Sequence, residues 1–102
     1  MKYLVIGSPK ALPIPPEMAI NLYQAAITWV DNMTKAGKLD CLYIFPEAGG
    51  MAIGNVNSQE EAFDLMTSYP LYGFFDWQVK SLVDWRHAYN TIIEMYKKMG
   101  AK

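Results

Sequence analysis

Few side chains in this 102-residue sequence could carry acid–base chemistry near neutral pH. His87 is the only histidine, and imidazole is the side chain that ordinarily gains and loses its proton near neutrality. Asp76 lies in an aromatic-rich stretch, where a desolvated carboxylate can act as a base. We take His87 and Asp76 as the candidate catalytic residues. Each has a structural alternative: His87 as a surface or capping residue beside Arg86, and Asp76 as the ion-pair partner of Lys80 or of a second subunit.

The sequence argues against other kinds of reactive site. One cysteine and one histidine exclude an intrachain disulfide, a multi-cysteine zinc site and a histidine-rich metal site. Cys41 alternates with apolar neighbours, which favours a buried small side chain over a nucleophile. Glu47 lies in a turn signal, where a charge is ordinarily solvated. Gly49-Gly50 precedes a strand, which favours a tight hairpin over a phosphate-binding loop. We expect no metal and no organic cofactor.

Aromatic residues supply the candidate binding surface. They make up 14% of the chain, and most are expected to form ordinary core. Trp and Tyr also carry a polar tip that can orient a ligand in an apolar pocket. The candidate substrate-binding residues are Trp29, Tyr43, Tyr3 and Trp77.

Composition limits the class of protein. A chain of this length suits a single domain, which we place at residues 1–102. A net charge of −1 and no basic patch argue against a nucleic-acid partner. No apolar stretch is long enough to cross a membrane, and no signal peptide is evident, so we expect a cytoplasmic protein. With 52% hydrophobic residues, some apolar surface is expected to enter an oligomer interface.

Periodicity and turn signals predict seven elements. A stripe with spacings of three and four, bounded by Pro16 and Gly37, predicts a long first helix whose surface is largely covered. Ser58 followed by Glu61 is a capping box for the second helix. Alternation in the second strand places Leu39, Cys41 and Tyr43 on one face. The predicted strands are 2–7, 38–46, 51–57 and 72–80, and the predicted helices are 16–36, 59–67 and one from 81–84 to 99.

The order of these elements predicts the fold. Strand, helix, strand, strand, helix and strand form a ferredoxin-like βαββαβ arrangement of the α+β class, here with an extra C-terminal helix. Its four-stranded antiparallel sheet has helices on one face, so the other face needs a cover. We expect two copies to pack through their sheets as a dimer.

Two segments carry a family resemblance. Residues 66–79, MTSYPLYGFFDWQV, resemble a segment of the muconolactone Δ-isomerase family, and Gly49-Gly50 with the residues 57–61 resembles its middle hairpin and second helix. The similarity covers about residues 37 to 82. It implies a dimeric α/β barrel with a pocket between helices and sheet, and a homodimer or larger homo-oligomer.

The resemblance also implies a function. The expected activity is cofactor-free proton transfer, an isomerisation, on a small hydrophobic unsaturated or lactone substrate. Two alternatives stay open on the same fold: a non-catalytic protein that binds a small molecule or serves assembly, and a cofactor-free monooxygenase.

Overall fold

A computed structural model describes residues 1–100 and shows four strands and three α-helices. The strands are β1 (Lys2–Pro9), β2 (Leu39–Ile44), β3 (Gly50–Asn55) and β4 (Phe75–Leu82). The helices are α1 (Pro16–Lys35), α2 (Gln59–Thr67) and α3 (Trp85–Lys98), with a 3₁₀ turn at Tyr72–Phe74. The strand order β2-β3-β1-β4 and fully antiparallel pairing are those of the predicted ferredoxin-like fold, which is confirmed. No helix in the described part of the chain is long and apolar enough to cross a membrane.

Strand register gives the sheet two chemically different faces. Val5 lies opposite Ala52 on one side and Val79 on the other, and these residues face α1 and α2. The neighbouring positions Leu4 and Ile53 face away from both helices, because successive side chains alternate across a strand. Both helices that connect strands therefore lie on one face, which we call the helix face. The other is the open face.

A β-bulge in β2 corrects the predicted facing of that strand. Leu39 pairs with Gly54, but Cys41 pairs with Ile53, so one extra residue, Asp40, stands between the two pairs. An inserted residue reverses the alternation beyond it. Leu39 therefore shares the helix face with Leu42 and Ile44, whereas Cys41 and Tyr43 lie on the open face. The Asp40 side chain forms an ion pair with Lys2, which gives this polar residue a partner at the edge of the sheet.

The predicted helix ends are close to the observed ones, whereas the predicted start of β4 comes earlier than the observed start. Ser58 accepts a hydrogen bond from the Glu61 backbone N–H at 3.1 Å, which confirms this part of the predicted cap of α2. Gly37 has a φ of +74° just after α1, as its role as a helix stop requires. Residues 72–74, predicted as strand, form the 3₁₀ turn, and β4 continues to Leu82.

Helix α3 stands apart from the body of the molecule. Every α3 residue except the half-buried Ala88 is exposed. The chain measures 64 × 29 × 23 Å, with a radius of gyration of 17.7 Å, where a compact chain of this length has about 13 Å. An isolated copy is therefore an α/β body with one projecting helix.

A single copy leaves much apolar surface in water. In α1, predicted to be largely covered, only Ala26 is buried, and Tyr23 and Ile27 are more than half exposed. This prediction was wrong for one chain, because no second layer covers the outer side of α1. Among the described residues the buried apolar core is small, and it consists of Tyr3, Ala26, Leu39, Val56 and Leu71.

Gly7 of β1 lies directly against an aromatic side chain of β4, that of Trp77. The two residues are register partners, and a Cβ built on Gly7 would lie 2.8 Å from a carbon of the Trp77 ring. The indole therefore lies against the strand backbone, an approach that only glycine permits.

Gly7→Ala should destabilise the protein by about 1–3 kcal/mol, because the added methyl group overlaps the indole. The free energy of unfolding from urea denaturation measures this. Gly73→Ala is the matched control, since a Cβ added at Gly73 would meet no heavy atom within 4 Å, and it should change stability by less than about 0.5 kcal/mol. Equal effects of the two substitutions would contradict the proposed contact.

Candidate ligand-binding site

A cavity of about 180 Å³ lies between the helix face of the sheet and the two helices that cover it. All four strands contribute to it, and α1 and α2 form its roof. Among the described residues that line it, none is charged. The cavity is thus an apolar space in the middle of the domain, with room for a molecule of about the size of one benzene ring.

Small residues form the floor of the cavity. The positions of β3 that face the helices are Gly50, Ala52 and Gly54, and the register partner of Gly50 in β1 is Gly7. A strand that packs directly on helices ordinarily carries branched residues there. The absence of larger side chains at these positions leaves the space between the layers unfilled.

Aromatic rings form one wall. Tyr69 packs edge-on against Trp29, with ring centroids 5.1 Å apart, and edge-on against Trp77 at 6.0 Å. Tyr72 stacks on Trp77 at 5.9 Å, and Phe75 lies beside the same indole at 5.6 Å. Such contacts fix ring orientations, so the wall is rigid and presents aromatic surface to the cavity.

Both indole N–H groups of this wall are already used. Trp29 Nε1 donates to Ser68 Oγ at 2.9 Å, and Trp77 Nε1 donates to the Tyr72 carbonyl oxygen at 2.9 Å. The Ser68 hydroxyl in turn donates to the Leu65 carbonyl oxygen at 2.7 Å. The two tryptophans therefore offer a ligand ring surface, and no free hydrogen-bond donor.

Tyr3 is the exception in this apolar surrounding. Its side chain lines the cavity, it is only 4% exposed, and its hydroxyl has no hydrogen-bond partner. A buried hydroxyl without a partner costs about 1–3 kcal/mol. Proteins ordinarily avoid this cost, and such a group marks a place where a partner is missing.

Tyr69 is the group in the cavity with a clearly shifted acidity. Burial raises the pKa of its phenol above the ordinary value of 10.0, and the neighbouring Tyr23 raises it further. Tyr69 is therefore a neutral hydrogen-bond donor at physiological pH and cannot serve as a base.

Three of the four predicted binding residues lie together. Tyr3, Trp29 and Trp77 all line the cavity, from β1, α1 and β4. Tyr43 does not: it is 68% exposed and lies on the open face, beyond the bulge at Asp40.

Neither predicted catalytic residue lines the cavity. Asp76 is exposed and precedes Trp77 in β4, so its side chain lies on the open face. It forms no ion pair with Lys80 within the described chain. His87 is exposed in the first turn of α3, where its backbone N–H donates to the Asp84 carboxylate at 3.2 Å. The capping interaction therefore involves the His87 backbone, and the Asp84 side chain is the cap.

Two features of the site were not predicted from the sequence. Tyr69 was not among the candidate site residues, although Tyr69-Pro70 directly follows the short helix α2, where the chain turns back toward the sheet. The sequence has small residues at the alternate positions 50, 52 and 54, so one face of this strand carries almost no side-chain volume. This pattern could have indicated unfilled space above the strand. In residues 1–100 no group of three or more His, Cys, Asp or Glu residues could hold a metal ion.

Solved structures show the same fold. The crystal structure of muconolactone isomerase is 20% identical, with a TM-score of 0.75 over 82% of this chain and 90% of that one. A 5-chloro-2-hydroxyhydroquinone dehydrochlorinase from Burkholderia phenoliruptrix AC1100, in complex with 2,5-dihydroxybenzoquinone, is 16% identical, with a TM-score of 0.66 over 85% and 98% of the two chains. No family model and no curated protein matches the chain. The predicted resemblance to muconolactone isomerase is thus confirmed as a likeness of fold.

The raised phenol pKa of Tyr69 predicts a loss of stability in alkali. Folding favours the protonated phenol, so its contribution is complete below the ordinary value of 10.0 and is lost as pH rises through and beyond that value. Urea unfolding of the wild-type chain should therefore show a decline over this range, and Tyr69→Phe should make the decline shallower. Identical pH profiles for the two proteins would show that Tyr69 is not desolvated.

Proposed function

We propose that this protein binds a small, uncharged, flat ring compound in the central cavity and isomerises it by proton transfer without a metal or organic cofactor. The observation that supports this most directly is the buried, unpartnered Tyr3 hydroxyl in a cavity whose described lining carries no charged residue. An oxygen atom of the ligand, a carbonyl oxygen above all, would accept the hydrogen bond that Tyr3 lacks.

The lining of the cavity defines the class of ligand. Aromatic walls favour a planar, unsaturated ring. A carboxylate or phosphate on the ligand would find no charged partner among the described lining residues, and burying an unpaired charge is costly. The dehydrochlorinase of the same fold is in complex with a quinone, which is a planar, unsaturated ring. We therefore favour a cyclic enone, quinone or unsaturated lactone without an ionised group.

Binding at Tyr3 needs a small side-chain movement. The hydroxyl is sealed from solvent in the empty cavity, so a ligand oxygen must open a space beside it. Met66 also lines the cavity, and an unbranched methionine side chain can adapt to a new shape at little cost.

In the reaction, the Tyr3 O–H donates to the carbonyl oxygen and stabilises the enolate that forms when a neighbouring C–H bond releases its proton. The double bond moves, and a proton returns to another carbon of the same molecule. Atoms and electrons balance without an oxidant. Tyr3 stays protonated throughout. No carboxylate or imidazole from the described chain lines the site, so the proton passes to and from solvent water at the open side of the cavity.

A second candidate function is ligand binding without catalysis. It is favoured by the same lining, in which the described residues include no carboxylate, imidazole or amine that could accept a proton. General bases contribute a large part of the rate in proton-transfer enzymes. A carrier of a hydrophobic ring compound needs only the rings and the Tyr3 donor.

Tyr3→Phe separates ligand recognition from stability. Affinity for a small cyclic enone or benzoquinone should fall about tenfold, the value of one neutral hydrogen bond. The free energy of unfolding should stay constant or rise by about 1 kcal/mol, because an unsatisfied buried hydroxyl is removed. Tryptophan fluorescence titration measures the affinity, since Trp29 and Trp77 line the cavity.

The matched control is the ring hydrocarbon without the oxygen, whose affinity should be equal for both proteins. If the wild-type chain binds neither compound, the cavity is not a ligand site. If Tyr3→Phe loses affinity for both compounds alike, Tyr3 contributes shape and not a hydrogen bond.

Catalysis is tested by incubating the enone with the protein in deuterated water and following the ligand by NMR. Deuterium entry at carbon together with a moved double bond supports the isomerase, and binding without exchange supports the carrier. Oxygen consumption would instead indicate the monooxygenase alternative. His87→Ala and Asp76→Ala should leave the affinity unchanged, since neither residue lines the cavity. A loss of exchange with retained binding would restore either residue as catalytic.

A further inference from the structure

We infer that the Tyr69 hydroxyl is a second ligand-binding donor, so that the ligand carries two oxygen acceptors on opposite sides of its ring, one at Tyr3 and one at Tyr69. This inference rests on the proposed function, because it concerns the same cavity. It narrows the ligand from any flat, uncharged ring with one carbonyl group to a ring that is oxygenated at two opposite carbons.

The two hydroxyl-bearing residues lie at opposite ends of the cavity. Tyr3, Val5 and Gly7 line it from alternate positions of β1. At about 3.3 Å per residue, the Cα atoms of Tyr3 and Gly7 are roughly 13 Å apart. Tyr69 packs against the Trp77 ring, and that ring lies against Gly7. Tyr69 therefore belongs to the Gly7 end, and a ligand that fills the cavity reaches both ends.

The Tyr69 phenol oxygen has no protein partner. No side-chain hydrogen bond within residues 1–100 involves it. The Tyr69 backbone N–H donates to the Met66 carbonyl oxygen at 3.1 Å, and the indole N–H groups of Trp29 and Trp77 beside it are also used. In this part of the described wall, the phenol is thus the donor that stays free for a ligand.

Packing holds the Tyr69 ring in a fixed orientation. Trp29 and Trp77 both meet it edge-on, at 5.1 and 6.0 Å, and both indoles are anchored by hydrogen bonds of 2.9 Å. A donor that is already positioned loses little rotamer freedom when a ligand binds. Tyr23 also lines the cavity, but it is 53% exposed, so its side chain lies largely in water. Tyr69 is therefore the better placed of the two phenols.

The surroundings of Tyr69 select a neutral oxygen on the ligand. Burial raises the pKa of the Tyr69 phenol and the neighbouring Tyr23 raises it further, so the phenol keeps its proton and donates it to a hydrogen bond. The same desolvation disfavours a negative charge on any atom placed beside it. The described residues that line the cavity include no cation to offset such a charge. A carbonyl oxygen fits this end, whereas a carboxylate does not.

The size of the cavity limits the ligand to one ring. Its volume of about 180 Å³ is close to that of a cavity that holds benzene. The most distant substituents of a single six-membered ring are those on opposite carbons. Donors at the two ends therefore match oxygen atoms in a 1,4 arrangement, as in a 1,4-quinone or an unsaturated 1,4-diketone.

Isothermal titration calorimetry with two probes tests the second donor. 1,4-Benzoquinone has two opposite carbonyl oxygens, and cyclohex-2-enone has one. Every variant carries Cys41→Ser, because quinones add to thiols and Cys41 is free. Tyr69→Phe should weaken benzoquinone binding about fivefold, the value of one neutral hydrogen bond. It should leave cyclohexenone binding unchanged, since the single oxygen goes to the Tyr3 hydroxyl that water does not reach. Tyr3→Phe should weaken the binding of both probes.

Tyr43→Phe is the matched control, because it also removes a phenol oxygen. Tyr43 is exposed on the open face and does not line the cavity, so the affinities for both probes should stay the same. An equal loss for both probes in Tyr69→Phe would show that Tyr69 contributes shape alone, and no loss for either would show that its hydroxyl contacts no ligand oxygen. Both results overturn the inference and leave the proposed function standing, provided that Tyr3→Phe weakens both probes. If the Cys41→Ser parent binds neither probe, the proposed function fails together with the inference.

Nuclear magnetic resonance of chains with carbon-13 at the tyrosine Cζ atoms reads the phenols without altering them. A hydrogen bond from the hydroxyl shifts the resonance of the attached Cζ. Benzoquinone should shift the Tyr3 and Tyr69 resonances, and cyclohexenone should shift the Tyr3 resonance alone. A Tyr69 resonance that stays in place with benzoquinone, while the Tyr3 resonance moves, overturns the inference even if Tyr69→Phe does not fold.

Discussion

A single copy of this chain cannot bury its own apolar side chains, and most of its architecture follows from that constraint. The helices cover one face of the sheet, five apolar side chains among the described residues are buried, and α3 projects from the body. Three apolar surfaces therefore face outward: the outer side of α1, the open face of the sheet around Leu4 and Ile53, and the side of α3 that carries Trp85, Tyr89 and Ile92. Each Å² of apolar surface that stays in water forgoes about 25 cal/mol of stabilisation.

The two faces of the sheet have separate tasks. The helix face carries the cavity, with small residues in β3 and aromatic residues in β4, whereas the open face carries Cys41, Tyr43 and Asp76. One inserted residue, Asp40, decides which side chains of β2 belong to which face. The residues that line the cavity are consequently separated from those of the open face.

Much of the fold could be predicted from the sequence, because the capping and turn residues agree with the order of strands and helices that the hydrophobic periodicity indicates. The capping residues of α2 and the glycine after α1 lie where the patterns indicate. The bulge at Asp40 could not be predicted, since the two-residue alternation of side chains along a strand does not reveal where an extra residue is inserted. The predicted facing of Tyr43 is wrong for that reason. His87 and Asp76 are candidates by residue type, and type says nothing about which face or helix side a group occupies. The exposure of α1 depends on a layer that one chain does not contain.

The bare floor of the cavity has a consequence for how this protein can change over evolution. A side chain added at Gly54 would meet Leu65 at 3.4 Å, an ordinary contact, whereas one added at Gly50 would meet the Tyr43 carbonyl oxygen at 2.6 Å. Of the two β3 glycines in the floor, Gly54 therefore tolerates a methyl group and Gly50 does not. Single-nucleotide changes at Gly54 could reshape the cavity in small steps while leaving the Tyr3 hydroxyl and the aromatic wall intact. The shape of the cavity can thus change through residues that carry no functional group at all.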